Sequence, residues 1–255
     1  MRLAAITPEV ARTDTDLLLQ GEPGTGKSHL ARQIHDLSPR ADRPFVVVDP
    51  GIFANEEADL LLYGRDPSVA LSRSGMIERA AGGTLVLESI EHIPRKARSR
   101  LVGLIDSRSF LSLGADRPRK IDVRIMATSA STDRDPTGLR DRLVGISLAL
   151  PPLSERREDI PELFRHFVGE YEASLGRTAE PVGEIEWAHL ISHDWPGNLR
   201  ELRMFAQNFV LGLTRIALPA AAAQNEMTLR SMVANFEKTI LEDALKRSGG
   251  NVPDV

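Results

Sequence analysis

Apolar and polar residues fall into blocks along the first 150 positions, and the blocks differ in period. Short continuous apolar runs stand at "DLLLQ" (16–20), "FVVVD" (45–49), "GTLVLE" (83–88), "DVRIMAT" (122–128) and "ISLAL" (146–150). Helix-length connections separate them. That alternation predicts an α/β fold, a parallel sheet with helices on both faces. From about 153 to 213 the strand signals stop. "ERREDIPELFRHFVGEYEASLG" and "NLRELRMFAQNFVLGL" carry helical spacing and predict a small helical domain. The stretch 214–227 reads as a linker. A last helix follows, with apolar positions Met232, Phe236, Ile240 and Leu241, ending at Gly249-Gly250. The expected division is therefore 1–152, 153–213, a linker 214–227, and the start of a further domain at 228–255.

Composition narrows the chemistry. The chain has 255 residues, enough for a proper core and near the size where one domain becomes two. With no cysteine, disulfides, thiolate metal sites and thiol nucleophiles are excluded. No apolar run approaches the ~20 residues of a membrane span. The start "MRLAAITPEVARTD" lacks the apolar stretch of a secretory signal, so the expected compartment is the cytoplasm, with no membrane partner. A net charge of −4 does not describe a polyanion binder as a whole, though a local basic stripe is compatible with it.

One motif carries a mechanism outright. "GEPGTGKS", Gly21 to Ser28, follows the strand "DLLLQ" and opens the helix "KSHLARQIHDL". This is the phosphate-binding G-x-x-x-x-G-K-[ST] pattern in its strand–loop–helix context. Gly21, Gly24 and Gly26 permit a tight backbone turn whose N–H groups, with those of Glu22, Pro23's neighbours and Thr25, face phosphate oxygens. The helix adds its positive end. Lys27 reaches the β- and γ-phosphates, and the Ser28 hydroxyl ligates magnesium. ATP and Mg²⁺ are the expected cofactors. A second motif, "GGTLVLESIEHIP" (82–94), is a strand ending in a polar tip, as the second acidic motif of such ATPases does. It normally ends in two acids, and here it ends Glu88-Ser89.

"GEPGTGKSHLARQIH", "GGTLVLESI", "VRIMATS", "LALPPLSERREDIPEL" and "DWPGNLREL" occur in an order and spacing that resembles the central AAA+ domain of sigma-54-dependent activators, the bacterial enhancer-binding proteins. The resemblance covers nearly the whole chain. "PPLSERREDIP" and "WPGNLREL" are its most specific parts, and the tail from 228 is similar to the entry of a Fis-like DNA-binding domain, whose helix-turn-helix does not follow. The resemblance implies roles. Glu88 matches an aspartate that holds magnesium, and Ser89 a glutamate that polarises the attacking water. Asp49 matches an asparagine that couples that glutamate to the ring. Ser129 is the first sensor and Arg200 the second. Arg142 matches one of two arginine fingers acting on a neighbour's site. The other falls at Pro136, with Arg140 and Arg134 nearby. It also implies a homo-oligomeric ring, contact with RNA polymerase or its sigma factor, and DNA binding through a C-terminal helix-turn-helix.

Two departures alter the expected function. A neutral Ser89 hydroxyl accepts no proton from water, and loss of a positioned base costs ~10²–10⁴-fold in rate. The hexapeptide GAFTGA, which engages sigma-54 in that family, is absent between "LLYG" (61–64) and "GMIERA". The sequence favours ATP binding with slow or absent hydrolysis and an altered sigma-54 contact. Two alternatives stay open, a competent ATPase in which Asp49 or Glu91 replaces the lost acid, and a non-catalytic oligomerisation scaffold. His189 and His193, four apart, lack the further ligands zinc needs. Trp187 and Trp195 are expected to pack in the helical-domain core beside Ile185 and Leu190.

Overall fold

The computed structural model describes residues 2–66, 73–130, 137–143 and 145–214. Residues 67–72, the middle of the stretch between 64 and 75 expected to hold the sigma-54 loop, Arg134 and Pro136, and nearly all of the linker and tail expectations (215–255) lie outside the described residues. The described part divides into two compact units. One comprises Met1–Arg157 with Trp195–Leu202, the other Glu158–Asp194 with the chain from Arg203.

In the first unit, α1 (Arg2–Arg12) leads into β1 (Leu17–Gln20), and α2 (Lys27–Asp36) into β2 (Phe45–Val48). The helices α3 (Ala58–Tyr63) and α4 (Met76–Arg79) precede β3 (Thr84–Leu87). Then come α5 (Arg95–Ser107), a hairpin of β4 (Ser109–Phe110) and β5 (Arg119–Lys120), and β6 (Arg124–Ser129). The helix α6 (Leu139–Leu143) leads to the edge strand β7 (Ile146–Ala149). Five strands form one parallel sheet in the order β2-β3-β6-β1-β7. All five correspond to the apolar runs of the sequence.

The runs are continuous because the sheet is covered on both sides. Leu18, Leu85, Leu87, Ile125 and Ala127 face a core closed by Leu62 and Tyr63 of α3, Ile77 of α4, Leu101 and Leu104 of α5, and Leu139 and Leu143 of α6. Leu17, Leu19, Val86, Met126 and Leu148 face the other core, closed by Val10 and Ala11 of α1 and Leu30, Ala31 and Ile34 of α2. Each fully buried leucine of β1 contributes roughly 2 kcal/mol of transfer free energy. Arg124 is buried too, and its guanidinium donates to the carbonyls of Val10, Ala11 and Thr15 at 2.9–3.3 Å, tying β6 to the end of α1.

The base of the 67–72 segment is a bridge. Arg65 pairs antiparallel with Arg73, and also parallel with Leu113 in the β4–β5 turn. Gly64, at φ +72°, packs directly on Gly75 and closes this neck.

The second unit holds α7 (Ile160–Leu175), α8 (Glu184–Ser192) and the later part of α9 (Asn198–Val210). Its core is aromatic. Phe164 meets Phe205 and Phe209 at ring-centroid distances of 5.7 and 5.4 Å, and Leu190 of the same unit is fully buried. Arg203 pairs with Glu170 and lies over the Phe167 ring. His189 and His193 stack on each other, their centroids 4.7 Å apart. Two expectations are corrected. Ile185 is half exposed, because the helix turns Glu186 inward instead. Trp195 is buried with the first unit and not in the helical core. It takes a left-handed backbone (φ 53°) in the turn before α9, which places Trp195–Leu202 with the sheet unit.

Candidate nucleotide-binding site

The register brings the carboxyl ends of four adjacent strands, β2, β3, β6 and β1, close to level. Gln20 pairs with Ser129, Leu87 with Ala127, and Val48 with Leu87. The loops after β1, β3 and β6 therefore emerge side by side, where ligands of open α/β sheets bind.

The loop after β1 is shaped by its glycines. Gly24 has φ +80°, and a Cβ there would lie 2.2 Å from the Gly197 carbonyl oxygen. At Gly21, φ +151°, a Cβ would lie 2.6 Å from the Leu150 carbonyl oxygen. Neither position accepts a side chain. Thr25 Oγ1 donates to the Glu22 carbonyl at 2.8 Å and tightens the turn. Lys27 Nζ donates to the carbonyls of Gly21 (2.6 Å) and Glu22 (2.8 Å), so its ammonium lies over the loop. Lys27 opens α2, whose unpaired first N–H groups and dipole favour an anion. Backbone donors, a lysine and a helix start together form a cradle with no room for a side chain at Gly21 or Gly24. That is the requirement of a polyphosphate. Ser28 is exposed at the mouth.

The cradle is braced from far along the chain. Asn198, fully buried at φ +53°, donates from Nδ2 to Glu22 Oε2 (3.0 Å) and the Pro23 carbonyl (3.1 Å). Its Oδ1 accepts from the Leu153 N–H at 2.6 Å. The Leu199 N–H donates to the Gly24 carbonyl at 2.9 Å, and Arg156 Nη2 to the Thr25 carbonyl at 3.1 Å. Sequence reasoning found the "WPGNLREL" and "PPLSERREDIP" motifs but not Asn198 and Arg156 as braces. The left-handed asparagine after a glycine was the available signal.

The acidic side hangs on β3. Glu88 is half-buried, and its N–H pairs with the Val48 carbonyl at 3.0 Å. Ser89 adopts φ 46°, ψ 58°, a left-handed conformation that a non-glycine residue holds at a cost, and its N–H donates to Thr128 Oγ1 at 2.9 Å. A short 3₁₀ turn, Ile90–His92, then swings Glu91 back toward the sheet. Glu91 Oε1 accepts the Ala130 N–H at 3.0 Å. Burial lowers the Lys27 ammonium below its ordinary pKa. Glu91 opposes this most strongly among the charges, Arg200 adds to it, and Glu88 and Glu22 oppose it more weakly.

Ser129 is buried at the end of β6, and its carbonyl accepts the Gly21 N–H at 3.1 Å. Arg200 is exposed on the first turn of α9, its Cβ beside Gly24. The structure thus gathers Gly21–Ser28, Glu88, Ser129 and Arg200 of the expected set, with Glu91. Asp49 is engaged differently. Its exposed carboxylate caps the 3₁₀ turn Pro50–Ala54 by accepting the Gly51 N–H at 2.7 Å. Arg142 lies on α6 and pairs through Nε with both oxygens of Asp106, at 3.0 and 2.9 Å.

Sheet order, glycine cradle and level strand ends define a P-loop AAA+ nucleotide-binding domain. A family model described as "Sigma-54 interaction domain" matches residues 1–138, and one described as "AAA+ ATPase lid domain" matches 154–231. The chain belongs to the sigma-54 interaction domain family of AAA+ proteins. Among curated relatives, the C4-dicarboxylate transport transcriptional regulatory protein DctD of Rhizobium meliloti (strain 1021) is 34% identical over 266 residues, covering 99% of this chain and 58% of the relative. The pathogenicity locus probable regulatory protein HrpR of Pseudomonas syringae pv. syringae is 37% identical over 254 residues, covering 94% and 80%. A crystal structure of NtrX from Brucella abortus in complex with ATP superposes with a TM-score of 0.78 at 30% identity, over 98% of this chain and 61% of that one. The chain thus spans about three fifths of the length of DctD and NtrX. No described helix is long and apolar enough to cross a membrane.

Proposed function

We propose that the chain is the ATP-binding AAA+ module of a cytoplasmic bacterial transcription regulator, slow in hydrolysis and altered in its contact with sigma-54. The carrying observation is the contrast between a fully formed, braced phosphate cradle and an acidic loop whose water-polarising position is Ser89. Binding draws on the cradle, whereas turnover draws on the acid. The superposition on an ATP complex at 30% identity supports the nucleotide, and the relatives' names support the transcriptional role. Ser28 and Glu88 would hold Mg²⁺, which supplies neutralisation of phosphate charge. The extra methylene of Glu88 suits octahedral magnesium less well than an aspartate.

The same reading assigns residues 1–152 to the nucleotide-binding domain and 153–213 to the lid. It takes 214–227 as a linker and 228–255 as the start of a DNA-binding domain. Arg142 would act on a neighbouring subunit of a homo-oligomeric ring after leaving Asp106.

Calorimetric titration with ATP and magnesium tests the core of the proposal. Heat of binding is expected for the parent and none for Lys27→Ala at unchanged thermal stability. A folded parent that gives no heat would sink the reading and leave the scaffold alternative.

A further inference from the structure

We propose that Glu91 is the residue that receives the proton of the attacking water in place of the acid missing at Ser89. This rests on the ATP-binding reading above and specifies how its slow turnover proceeds.

The placement follows from the backbone. β3 and β1 are separated by β6, each step across a sheet being about 4.8 Å. A side chain at the end of β3 must cross β6 to reach the phosphate cradle. Ser89, short and neutral, does not carry a base across. Its left-handed backbone, fixed by Thr128 Oγ1, starts the 3₁₀ turn that folds the chain back over the end of β6. Glu91 rides on that turn, and its carboxylate reaches the Ala130 N–H immediately after β6. The acid is thereby moved one strand closer to the cradle than the end of β3.

Its two oxygens are treated differently. Oε1 is held by Ala130. Oε2 is buried and finds no hydrogen-bond partner among the described residues. A buried carboxylate oxygen is costly unless a donor satisfies it. Among the charges, that of Glu91 acts most strongly on Lys27, the lysine of the phosphate cradle. An oxygen in that place, wanting a donor, fits a water. The rival acid fails on the same grounds. Asp49 follows β2, which lies beyond β3 and away from β1, and its carboxylate already caps Pro50–Ala54.

The step balances simply. The water oxygen attacks the γ-phosphorus, and the bond from that phosphorus to the β,γ-bridging oxygen breaks. The water proton passes to Glu91 Oε2 and then to solvent, leaving ADP and inorganic phosphate.

Glu91→Gln separates the roles, because the amide oxygen still accepts from Ala130 while the basic carboxylate is gone. Single-turnover phosphate release from γ-labelled ATP is compared in the parent, Glu91→Gln and Asp49→Asn, alongside binding of fluorescent ATP and ADP. Loss of a positioned base predicts a fall in rate of ~100-fold or more in Glu91→Gln. Removing a negative charge near the γ-phosphate predicts ATP binding tighter by about three- to tenfold, with ADP binding nearly unchanged. A structural role would move both nucleotides together. A parent that binds ATP but releases no phosphate overturns the proposal and leaves the binding reading intact. So does a Glu91→Gln rate equal to the parent's, or a loss confined to Asp49→Asn. Equal loss of ATP and ADP affinity in Glu91→Gln overturns it in favour of a structural Glu91. A parent that binds no nucleotide overturns both readings.

Discussion

Replacing Gly24 by alanine tests the brace that links the phosphate cradle to the Gly197–Leu199 turn. The new Cβ would stand 2.2 Å from the Gly197 carbonyl oxygen and 3.2 Å from its carbon, where side-chain contacts closer than 3.0 Å do not occur. One of the two loops must withdraw by about 0.8 Å, and both obstructing atoms are backbone, so no side chain can swing aside. Alanine at φ +80° adds roughly 1–2 kcal/mol of left-handed strain. The 2.9 Å bond from the Leu199 N–H to the Gly24 carbonyl is stretched, at about 1 kcal/mol. The expected loss is about 2–4 kcal/mol, a large share of the 5–15 kcal/mol that holds a typical domain. Trp195 is buried in the same unit as the cradle and Trp187 lies in the other. In a Trp187→Phe background, urea unfolding followed by fluorescence therefore reports the sheet unit alone, which matters because two units need not unfold as one. ATP affinity should fall at least tenfold, since the loop amides move relative to the phosphates. Unfolding within about 0.5 kcal/mol of the parent, with unchanged affinity, would refute the steric reasoning.

Two further outcomes concern stability. Gly103 lies inside α5 and a Cβ there meets nothing within 4 Å, so Gly103→Ala should stabilise by about 0.5–1 kcal/mol, read as a higher urea midpoint at unchanged slope. His35 is buried against Thr84 Oγ1 at 2.9 Å and tilted against the Phe45 ring, and burial chiefly lowers its pKa, with Arg32 adding to this and Asp36 opposing it. The unfolded chain then binds the imidazole proton more readily than the folded one. Stability is full above the ordinary value of 6.5 and falls as pH drops below it, by at most about 1.4 kcal/mol per unit for one proton. Unfolding between pH 7.5 and 5.5 should show this slope in the parent and a weaker one in His35→Phe.

The five sheet strands were legible because a strand buried on both faces must be apolar throughout. The cradle was legible because its turn leaves no space for side chains, so geometry is written directly as glycine. The helix α1 was not legible, since Pro8 interrupts the helical signal and what holds its end is Arg124, more than a hundred residues away. The β4–β5 hairpin has two residues a side, and Arg119 and Lys120 are exposed, so it leaves no periodic trace. Trp195 was placed in the wrong core because composition marks an aromatic as buried without saying where. The left-handed turn that redirects it depends on backbone angles. Glu91 could be named as a nearby acid, but its bond to Ala130 depends on a left-handed Ser89 and the 3₁₀ turn, neither of which has a residue signature.

The cradle and the acidic loop are held by largely separate contacts. The phosphate loop is fixed by β1, by the start of α2, and by Asn198 and Arg156. The acidic loop is fixed by β3. The loops share one anchorage, the end of β6 and the residue that follows it. Gly21 donates to the Ser129 carbonyl, Ser89 donates to Thr128 Oγ1, and Glu91 accepts from Ala130. Three consecutive residues thus hold one loop from one side and two positions of the other loop from the opposite side. Substitution within 88–91 leaves every bond of the cradle in place. A shift at the end of β6, by contrast, moves both loops together. Ser129, read from the sequence as the first sensor, therefore ties the phosphate loop through its backbone carbonyl to the same strand end that holds the acidic loop.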